Sequence, residues 1–486
     1  MAIKLTQTAK SISSSALDNA THLLFVMHKS CEQPPCGDVL KARLKRARAK
    51  FDSLAKTPLH ADLPGGAYAA WVVLDSGQSL FERHTALRKA MAGLLEDGPA
   101  TLSIVVTGDT AQRQSAAEAA VFVASLNGVV LPSRKKKQDK KPLAGIDLYG
   151  WDGPLDRAVN LAEANTLTRT LTMLPPNELT PGQYREKIRA LADAQGWACE
   201  EYDLKKLRKL GAGAFVAVAQ GSSEADAAIV HLSYTPKGAK KSIALVGKGI
   251  CFDTGGHNLK PARYMHGMHE DMNGSAVALG ILQAATAAKL PVRIDCWLAL
   301  AQNHISPQAY KQNDVITALN GKTIEIIHTD AEGRMVLADT LTLASRAKPE
   351  LMIDFATLTG SMMTALGNRM SGVIGNSPEL LCKAVGIGAR CGERVSTFPF
   401  ESDYDEDLDS QIADIKQCTL DSDADHMLAA RFLSKFIEND PTWLHVDLSS
   451  CNRKGGLGAV ASDVTGFGVS FGFYLLEDFV KEAPIK

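Results

Sequence analysis

Hydrophobic residues along this chain gather in short continuous runs that are separated by amphipathic stretches. In the first third, apolar runs at 22–28, 67–75 and 101–108 predict strands, while the periodicity near 80–95 and 111–126 predicts helices. Strands that alternate with helices are typical of an α/β domain. A small α/β domain is therefore expected at the start of the chain.

The pattern changes at a basic stretch, SRKKKQDKKP (133–142), which a short predicted strand at 144–150 follows. The basic stretch is interpreted as a solvated loop, because no aromatic residues that would stack on bases are interleaved with its lysines; contact with nucleic acid is the alternative. A helix predicted over 154–172 must end at PPNELTP (175–181), since proline cannot continue a helix interior. That break is the expected connection between two domains.

The rest of the chain repeats the alternation on a larger scale. Buried strands are predicted at 243–247, 293–301, 323–328, 351–357 and 443–449, and helices at 273–289, 335–347, 427–438 and 467–482. Such strands imply a mainly parallel or mixed central sheet covered by helices. We therefore predict a two-domain α/β protein with a small N-terminal domain that serves assembly or regulation, a connecting helix and linker, and a larger C-terminal domain, at 1–152, 153–181 and 182–486.

Composition and charge narrow the function classes. Apolar residues make up 45% of the 486 residues and charged residues 22%, which is ordinary for a globular protein, and no run of about 18 apolar residues suggests a membrane span. The formal net charge of −1 gives no overall field for nucleic acid or anionic lipid. The nine cysteines are scattered, odd in number and without CxxC pairs, so a reduced, cytoplasmic protein is expected.

The most informative segment is HTDAEGR (328–334), where a predicted strand gives way to a predicted helix. Residues two apart in an extended segment face the same way, so Asp330 and Glu332 are expected to reach into one cavity. Two carboxylates held that close repel each other, and one would take up a proton unless a cation lies between them. A divalent metal is the strongest candidate for that cation.

A glycine-rich stretch, VGKGICFDTGGHNLK (246–260), follows another apolar strand. It does not have the GxxxxGK[ST] spacing of a phosphate-binding loop. What remains is an acid, Asp253, bracketed by Lys248 and Lys260 and flanked by glycines that let the backbone approach a site closely. A plain turn with surface lysines is the alternative for this stretch taken alone.

A third stretch, HGMHEDMNG (266–274), leads into an apolar helix. The HExxH spacing of a zinc protease is absent. His266 and His269 could still form a ligand pair, although a surface or supporting role is favoured for both. Asp271, at the entrance of the helix, is the better ligand candidate.

Together these three stretches resemble the leucyl (cytosol) aminopeptidase family of two-metal exopeptidases. The resemblance extends over most of residues 173–375. It includes the PPNELTP connection, VGKGxxFDxGGxxxK, EDMNG, TDAEGRxVLAD (329–339) and DFATLTG (354–360), with matching spacing between them. The N-terminal third shows no such similarity.

The resemblance implies five metal ligands, namely Lys248, Asp253, Asp271, Asp330 and Glu332. Asp253 and Glu332 would bridge two ions, Lys248 and Asp271 would complete the tightly held site, and Asp330 would complete the more exchangeable one. Four carboxylates balance two divalent ions if Lys248 coordinates as a neutral amine, which requires that metal and burial depress its pKa. Such ligands admit Zn²⁺ or Mn²⁺, and also Mg²⁺ or Co²⁺.

The reaction implied by the resemblance is hydrolysis of the first peptide bond in peptides with a free N-terminus, carried out by a homohexamer. Two metals about 3.5–4 Å apart lower the pKa of a bridging water and stabilise the oxyanion. Asp271 would also bind the substrate's α-amine, Lys260 would polarise the scissile carbonyl, and Arg334 would hold a bicarbonate ion that shuttles protons. The positions that match the family's substrate pocket are Met268, Thr357 and Gly360, for which plain packing at a helix edge and a strand end is the alternative.

The chain departs from the family pattern at several positions. His328 stands where the family usually has asparagine, and it could hydrogen bond, titrate or add a ligand there. Three further histidines in the site segments are interpreted either as incidental or as tuning the metal: His257, His266 and His269. Where a glycine-rich run usually precedes the helix at 427, the divergent segment around 420–432 contains SDADHMLAARFL, and VDLSSCNRKGGLGA (446–459) replaces another small-residue segment. These departures leave the substrate preference open.

Two alternatives to a metal-dependent aminopeptidase stay open at this point. The first is a hexameric scaffold or DNA-binding relative with weak or no peptidase activity, for which the lysine run would serve; the intact ligand set argues against pure scaffolding. The second is another two-metal hydrolase, such as a phosphoesterase. Asp271, together with Lys260 and Arg334, favours peptides over phosphoesters.

Overall fold

The computed structural model describes residues 3–137, 141–222, 225–421 and 423–482. Contacts divide the chain into two compact units. The first unit comprises Met1–Thr166, Ala389–Glu393 and Arg453–Thr465, and the second comprises Leu167–Gly388, Arg394–Asn452 and Gly466–Lys486. The domain limits at 152 and 181 stay a prediction, and the contacts group two short later stretches with the first unit.

The first unit alternates strands and helices along the chain. Its strands are β1 (Lys4–Thr8), β2 (His22–His28), β3 (Leu59–Asp62), β4 (Tyr68–Leu74), β5 (Thr101–Val106) and β6 (Gly145–Tyr149), and its helices are α1 (Ser14–Asn19), α2 (Gly37–Ala47), α3 (Leu80–Glu96) and α4 (Thr110–Asn127). The six strands form one sheet in the order β1-β6-β5-β2-β4-β3, in which only β3 and β4 pair antiparallel. The predicted βα alternation of this region is confirmed.

Strand β2 shows why this sheet carries helices on both faces. Leu24 and Val26 are buried in one hydrophobic cluster with residues of α3 and α4, whereas Leu23, Phe25 and Met27 are buried in another with Leu40 of α2. Successive residues of a strand point to opposite faces, so a sheet buried on both sides requires a continuous apolar run.

The basic stretch follows α4. Residues 134–137 and 141–142 are exposed and lie in no helix or strand, and residues 138–140 lie outside the described residues.

Among the helices that the structure describes, none has the length and apolar character needed to cross a membrane.

The second unit contains most of the remaining elements. Its strands are β7 (Ala198–Asp203), β8 (Ala228–Tyr234), β9 (Ser242–Asp253), β10 (Arg293–Asn303), β11 (Val315–Thr317), β12 (Thr323–Glu325), β13 (Leu351–Ala356), β14 (Ser371–Gly375), β15 (Val395–Thr397), β16 (Ile415–Lys416) and β17 (Thr442–Asp447). The helices that follow α4 are α5 (Asp156–Thr172), α6 (Pro181–Gln195), α7 (Leu204–Leu210), α8 (Gly213–Ala219), α9 (Ala262–Met265), α10 (Asn273–Ala287), α11 (Glu332–Arg346), α12 (Gly360–Leu366), α13 (Pro378–Cys391), α14 (Asp425–Ser434) and α15 (Val469–Lys481).

The main sheet of the second unit has eight strands in the order β15-β14-β17-β13-β9-β10-β8-β7. The central strands β17, β13, β9 and β10 run parallel, whereas β8 and β7 on one side and β14 on the other join through antiparallel pairs. The predicted mixed α/β fold is therefore confirmed. Parallel central strands bring their carboxyl ends to one edge of the sheet, the edge where ligands bind in open α/β sheets.

The strand predicted at 323–328 is wrong in its length and in its place. Only Thr323–Glu325 forms a strand, and it lies in a separate three-stranded sheet with β11 and β16. Residues 326–331 form no strand, and Glu332 is the first residue of α11. The extended geometry expected for Asp330 and Glu332 is therefore also wrong. A turn, closed by a bond of 3.1 Å from the Ala331 N–H to the His328 carbonyl, brings the two acids together instead.

Candidate metal centre

Acidic side chains from three segments meet at the carboxyl edge of the central strands. Asp253 ends β9, Asp330 lies in the turn before α11, and Glu332 begins that helix. One carboxylate oxygen from each of these residues lies within 4.8 Å of the other two. Within the part of the chain that the structure describes, this is the one such group of three or more potential ligand side chains. The sequence-predicted acids are thus brought together, and no histidine belongs to the group.

Buried Lys248 and partly buried Lys260 form ion pairs with these acids, and Lys248 also contacts a fourth acid, Asp271. The Lys248 Nζ lies 2.8 Å from Asp271 Oδ2 and 3.0 Å from Glu332 Oε1. The Lys260 Nζ lies 3.0 Å from Asp253 Oδ2 and 2.6 Å from Asp330 Oδ1. Each ammonium therefore stands between two carboxylates, in a cluster that contains all five predicted ligands and Lys260.

Two glycine features explain how the chain can pack this densely. A Cβ at Gly333 would lie 2.6 Å from both Cε and Nζ of Lys248, so only glycine lets the lysine cross the first turn of α11. Gly255 and Gly256 have φ values of +86° and +64°, a left-handed conformation that glycine adopts readily. Their turn reverses the chain after Asp253 and carries Lys260 back toward it.

The Asp253 carboxylate is held by an amide that the sequence interpretation missed. Asn303 Nδ2 donates to Asp253 Oδ1 at 2.8 Å and to the Thr329 carbonyl at 3.0 Å. The Tyr310 hydroxyl donates to the same carbonyl at 2.8 Å. Asn303 pairs in register with Asp253 on the neighbouring parallel strand. The polar residue at the end of an apolar strand was the sequence signal that could have identified it.

Gln417 is a second supporting residue that the sequence interpretation missed. Its Nε2 donates to the Ala331 carbonyl at 2.9 Å, and its Oε1 accepts from the His328 N–H at 3.2 Å. It is fully buried next to β16. The amide therefore fixes the turn that carries Asp330, and no local motif marks it in the sequence.

Without a metal, the carboxylates carry an electrostatic penalty. Burial raises the pKa of Asp330 and of Glu332, and the negative charges of the neighbouring acids raise them further. Burial likewise raises the pKa of Asp271, which Lys248 opposes only in part. Each of these acids would keep its charge more easily if a cation lay among them.

For Lys248, the neighbouring charges favour the charged form of the side chain. Burial alone would lower its pKa, but the carboxylates of Asp271, Glu332 and Asp253 together raise the pKa of Lys248 above its ordinary value. The protein's own charges therefore favour an ammonium. The neutral amine required for coordination would depend on the positive charge of the metal itself.

The donor set fits divalent cations. The Glu332 side chain is 2% exposed, and its Oε2 has no hydrogen-bond partner among the described residues. A buried carboxylate oxygen without a partner is costly unless something else binds it. With four carboxylates and one amine around it, a pair of divalent ions would satisfy this oxygen and neutralise the excess negative charge.

The predicted substrate-pocket positions surround Asp271 unequally. Thr357 Oγ1 donates to Asp271 Oδ1 at 2.6 Å, and the Thr357 carbonyl accepts from Lys248 Nζ at 3.0 Å. Met268 begins the 3-10 turn that contains Asp271, and Gly360 begins α12. Thr357 is thus joined directly to the site, while the pocket role of all three stays a prediction.

Arg334 lies on α11 beyond the acidic cluster. Its side chain is buried, its Nη2 donates to Asp425 Oδ1 at 2.8 Å, and its Nη1 donates to the Gln417 carbonyl at 3.2 Å. The expected site for a bicarbonate ion on this guanidinium is therefore shared with a carboxylate of the chain itself. Asp425 was not among the predicted site residues.

The four histidines of the site segments occupy different environments. His257 and His266 are exposed, and the ring of His257 contacts the Tyr310 carbonyl at 3.0 Å. His269 is half-buried, and burial lowers its pKa. His328 Nδ1 accepts from the Asp330 N–H at 3.2 Å, and burial, followed by the charge of Lys260, lowers the pKa of His328. His328 is therefore a neighbour of a ligand in this structure, while roles in metal tuning stay hypotheses.

Sequence comparison adds an independent finding. The model of the catalytic domain of the cytosol aminopeptidase family matches residues 166–471. A protein named "Probable cytosol aminopeptidase" from Stutzerimonas stutzeri is 42% identical over 312 residues, which are 64% of this chain and 62% of that protein. A protein of the same name from Pseudomonas fluorescens is 43% identical over 314 residues, or 64% of this chain and 63% of the relative. These matches span less than two thirds of the relatives' length.

Comparison with solved structures extends the similarity over nearly the whole chain. The bottromycin maturation enzyme BotP in complex with Mn superposes with a TM-score of 0.83 at 29% identity, covering 95% of this chain and 100% of that one. A mutant of tomato leucine aminopeptidase superposes with a TM-score of 0.86 at 25% identity, covering 98% and 96% of the two chains. Both similarities include the N-terminal region, where no family motif was found in the sequence.

Proposed function

Because this chain belongs to the cytosol aminopeptidase family, we propose that it is a metal-dependent aminopeptidase that releases the first residue of peptides with a free N-terminus. The observation that carries this proposal is the convergence of Lys248 with four buried or half-buried carboxylates at the carboxyl edge of the main sheet. The match to the family's catalytic domain favours this function over a scaffold and over a phosphoesterase.

The residues would hold two divalent cations in the arrangement that the resemblance implies. Asp253 and Glu332 would lie between the ions, Lys248 and Asp271 would complete one site, and Asp330 would complete the other. When bound, such cations lower the pKa of water and polarise a substrate carbonyl. The BotP structure that contains Mn supports a divalent metal, and we propose Mn²⁺ or Zn²⁺ for this chain, with Mg²⁺ and Co²⁺ as alternatives.

The side chains around the metals would select and orient the peptide. Asp271 offers a buried carboxylate to the positively charged α-amine, which favours substrates with a free N-terminus over those with a blocked one. Lys260, whose ammonium already contacts Asp253 and Asp330, would donate a hydrogen bond to the carbonyl oxygen of the scissile bond. Met268, Thr357 and Gly360 would line the pocket for the first side chain of the peptide.

An assay of amino-acid release tests this function. Wild type and Glu332→Ala are compared on a panel of aminoacyl reporter substrates with added Mn²⁺ or Zn²⁺. The control is Asp403→Ala, which removes one exposed carboxylate outside the candidate site. Wild type and the control should release amino acids, Glu332→Ala should be at least about 100-fold slower, and Nα-acetylated substrates should not react. Equal activity of wild type and Glu332→Ala, or an inactive metal-loaded wild type, would overturn the proposal.

Assembly and location complete the proposal. We propose a homohexamer in the cytoplasm, as the family resemblance implies; the name of the relatives and the scattered cysteines without CxxC pairs support the location. Light scattering coupled to size exclusion should give the mass of six 52.0-kDa chains. The contact between Asp425 and Arg334 argues against a bicarbonate ion at Arg334.

A further inference from the structure

Arg334 is a buried cation whose counter-ion is supplied by the chain itself. The guanidinium is almost fully buried, and Asp425 Oδ1 accepts a hydrogen bond from Nη2 at 2.8 Å. The Gln417 carbonyl accepts from Nη1 at 3.2 Å. A buried guanidinium without a carboxylate would be strongly destabilising, so this ion pair satisfies a requirement of the fold at that point.

The ion pair lies next to the proposed metal ligands. Arg334 follows Glu332 by two residues in the first turn of α11. Gln417, which accepts from Arg334 through its carbonyl, holds the Ala331 carbonyl through its side chain at 2.9 Å. The charge on Asp425 is therefore connected to the ligand-bearing turn through one guanidinium and one amide, and Asp425 itself contacts none of the proposed ligands.

Asp425 is fixed in this position by its own helix. It is the first residue of α14, after Ala424 in the left-handed conformation with φ of 56°. The next residue, His426, binds Ser361 of α12 through both its backbone N–H and its ring Nδ1, each at 2.9 Å. The Asp425 side chain remains 22% exposed, compared with 3% for Arg334, so the carboxylate covers the guanidinium while keeping contact with water.

The sequence around Asp425 departs from the glycine-rich run that the cytosol aminopeptidase family usually has there. A small residue in place of Asp425 would leave the Arg334 fork open to a free anion, which planar guanidinium groups bind well. Here Asp425 places one carboxylate oxygen on Nη2 of that fork. On Nη2 of Arg334, the oxygen that a free bicarbonate or carboxylate would offer is already present.

We propose that Asp425 is a positioning residue that replaces a free anion on Arg334, so that the aminopeptidase proposed above works without added bicarbonate. Asp425 holds the guanidinium in place beside the ligand-bearing turn. Its removal creates a site for a small oxyanion such as bicarbonate or formate. The proposal about catalysis rests on the proposed function, whereas the proposal about anion binding rests on the ion pair alone.

A binding measurement on metal-free protein tests the ion pair directly. Thermal unfolding is followed for wild type, Asp425→Gly and the double variant Asp425→Gly with Arg334→Met, each with and without sodium formate or bicarbonate and with chloride at equal ionic strength. We expect formate and bicarbonate to raise the Tm of Asp425→Gly by several degrees more than chloride does, and to have no such effect on wild type or on the double variant. No anion-specific rise in Asp425→Gly, or an equal rise in wild type, would overturn the proposal.

A kinetic measurement on the metal-loaded enzyme tests the consequence. In buffer freed of carbon dioxide, wild-type kcat should not change when bicarbonate is added, whereas Asp425→Gly should lose at least about tenfold in kcat and recover most of it with formate. Asp425→Asn, which keeps the shape of the side chain without its charge, checks that a loss reflects charge and not misfolding, and it should also be slow. Stimulation of wild type by bicarbonate would overturn the proposal. An inactive wild type would refute the proposed function, and the Tm comparison would still decide the anion site.

Discussion

Replacing Gly333 with alanine should weaken metal binding while leaving the fold intact. Gly333 is the second residue of α11, where alanine would ordinarily stabilise the helix by about 1 kcal/mol relative to glycine. The added Cβ would, however, lie 2.6 Å from Cε and Nζ of Lys248. Ordinary van der Waals contact begins at 3.4 Å, so the end of the lysine must move by about 0.8 Å.

The lysine has little room for this movement. Its side chain is nearly inaccessible to solvent, and its Nζ is held within 3.0 Å of Asp271 and Glu332. Overpacking of a dense site costs about 1–3 kcal/mol, which the gain in helix propensity partly offsets. The expected net loss in free energy of unfolding is therefore about 0–2 kcal/mol, a small part of the 5–15 kcal/mol that is usual for a domain.

The effect on the metal should be larger than the effect on stability. Displacement of one ligand from its position is expected to lower Mn²⁺ affinity by about 10–100-fold, in the range observed when residues that orient metal ligands are removed. Affinity is measured by calorimetry and stability by urea unfolding. Gly386→Ala is the matched control, because Gly386 lies in α13 with nothing within 4 Å of the added Cβ. It should raise stability slightly and leave affinity unchanged; a Gly333→Ala variant that binds Mn²⁺ as wild type does would refute the reasoning.

Two further predictions concern buried polar residues. Asn303→Ala removes the hydrogen bonds to Asp253 and to the Thr329 carbonyl. Urea unfolding should show a loss of about 1–3 kcal/mol in the free energy of unfolding, and calorimetry should show weaker Mn²⁺ binding. An unchanged Mn²⁺ affinity would show that Asp253 needs no amide support. Burial raises the pKa of Asp339 from 3.8 to about 7, so its contribution to stability is present below about pH 4 and is lost as pH rises to 7. The free energy of unfolding, measured by urea titration between pH 4 and 8, should therefore fall more steeply for wild type than for Asp339→Asn, by on the order of 4 kcal/mol at most. Parallel curves would contradict this assignment.

Much of the fold followed from hydrophobic patterning because its long elements are strongly periodic. The apolar runs at β2, β4, β9, β10, β13 and β17 are continuous because these strands are buried on both faces, and such runs are easy to recognise. Strand β12 was mispredicted because an apolar run, TIEIIH, extends past its three paired residues into a partly buried irregular segment. Hydrophobicity reports burial there, and it does not report backbone hydrogen bonding.

The residues of the candidate site also differ in whether they could be predicted from the sequence. Residues with ligand chemistry could be predicted from local motifs and from the family resemblance, and the structure brings Lys248, Asp253, Asp271, Asp330 and Glu332 together. Asn303 was missed although it ends an apolar strand, whereas Gln417 and Asp425 could not be predicted, because each acts through a contact with a residue far away in the sequence. Such long-range supporting contacts depend on how strands and turns are placed, and no local spacing encodes them.

The stoichiometry of metal binding tests the central claim most directly. Metal-free wild type is titrated with Mn²⁺ in a calorimeter, alongside Glu332→Ala. The account predicts two ions for each wild-type chain, and fewer than two for the variant, because Glu332 would bind both ions and its buried Oε2 has no other partner among the described residues. One ion or none in wild type, or two ions retained by Glu332→Ala, would contradict the two-metal centre.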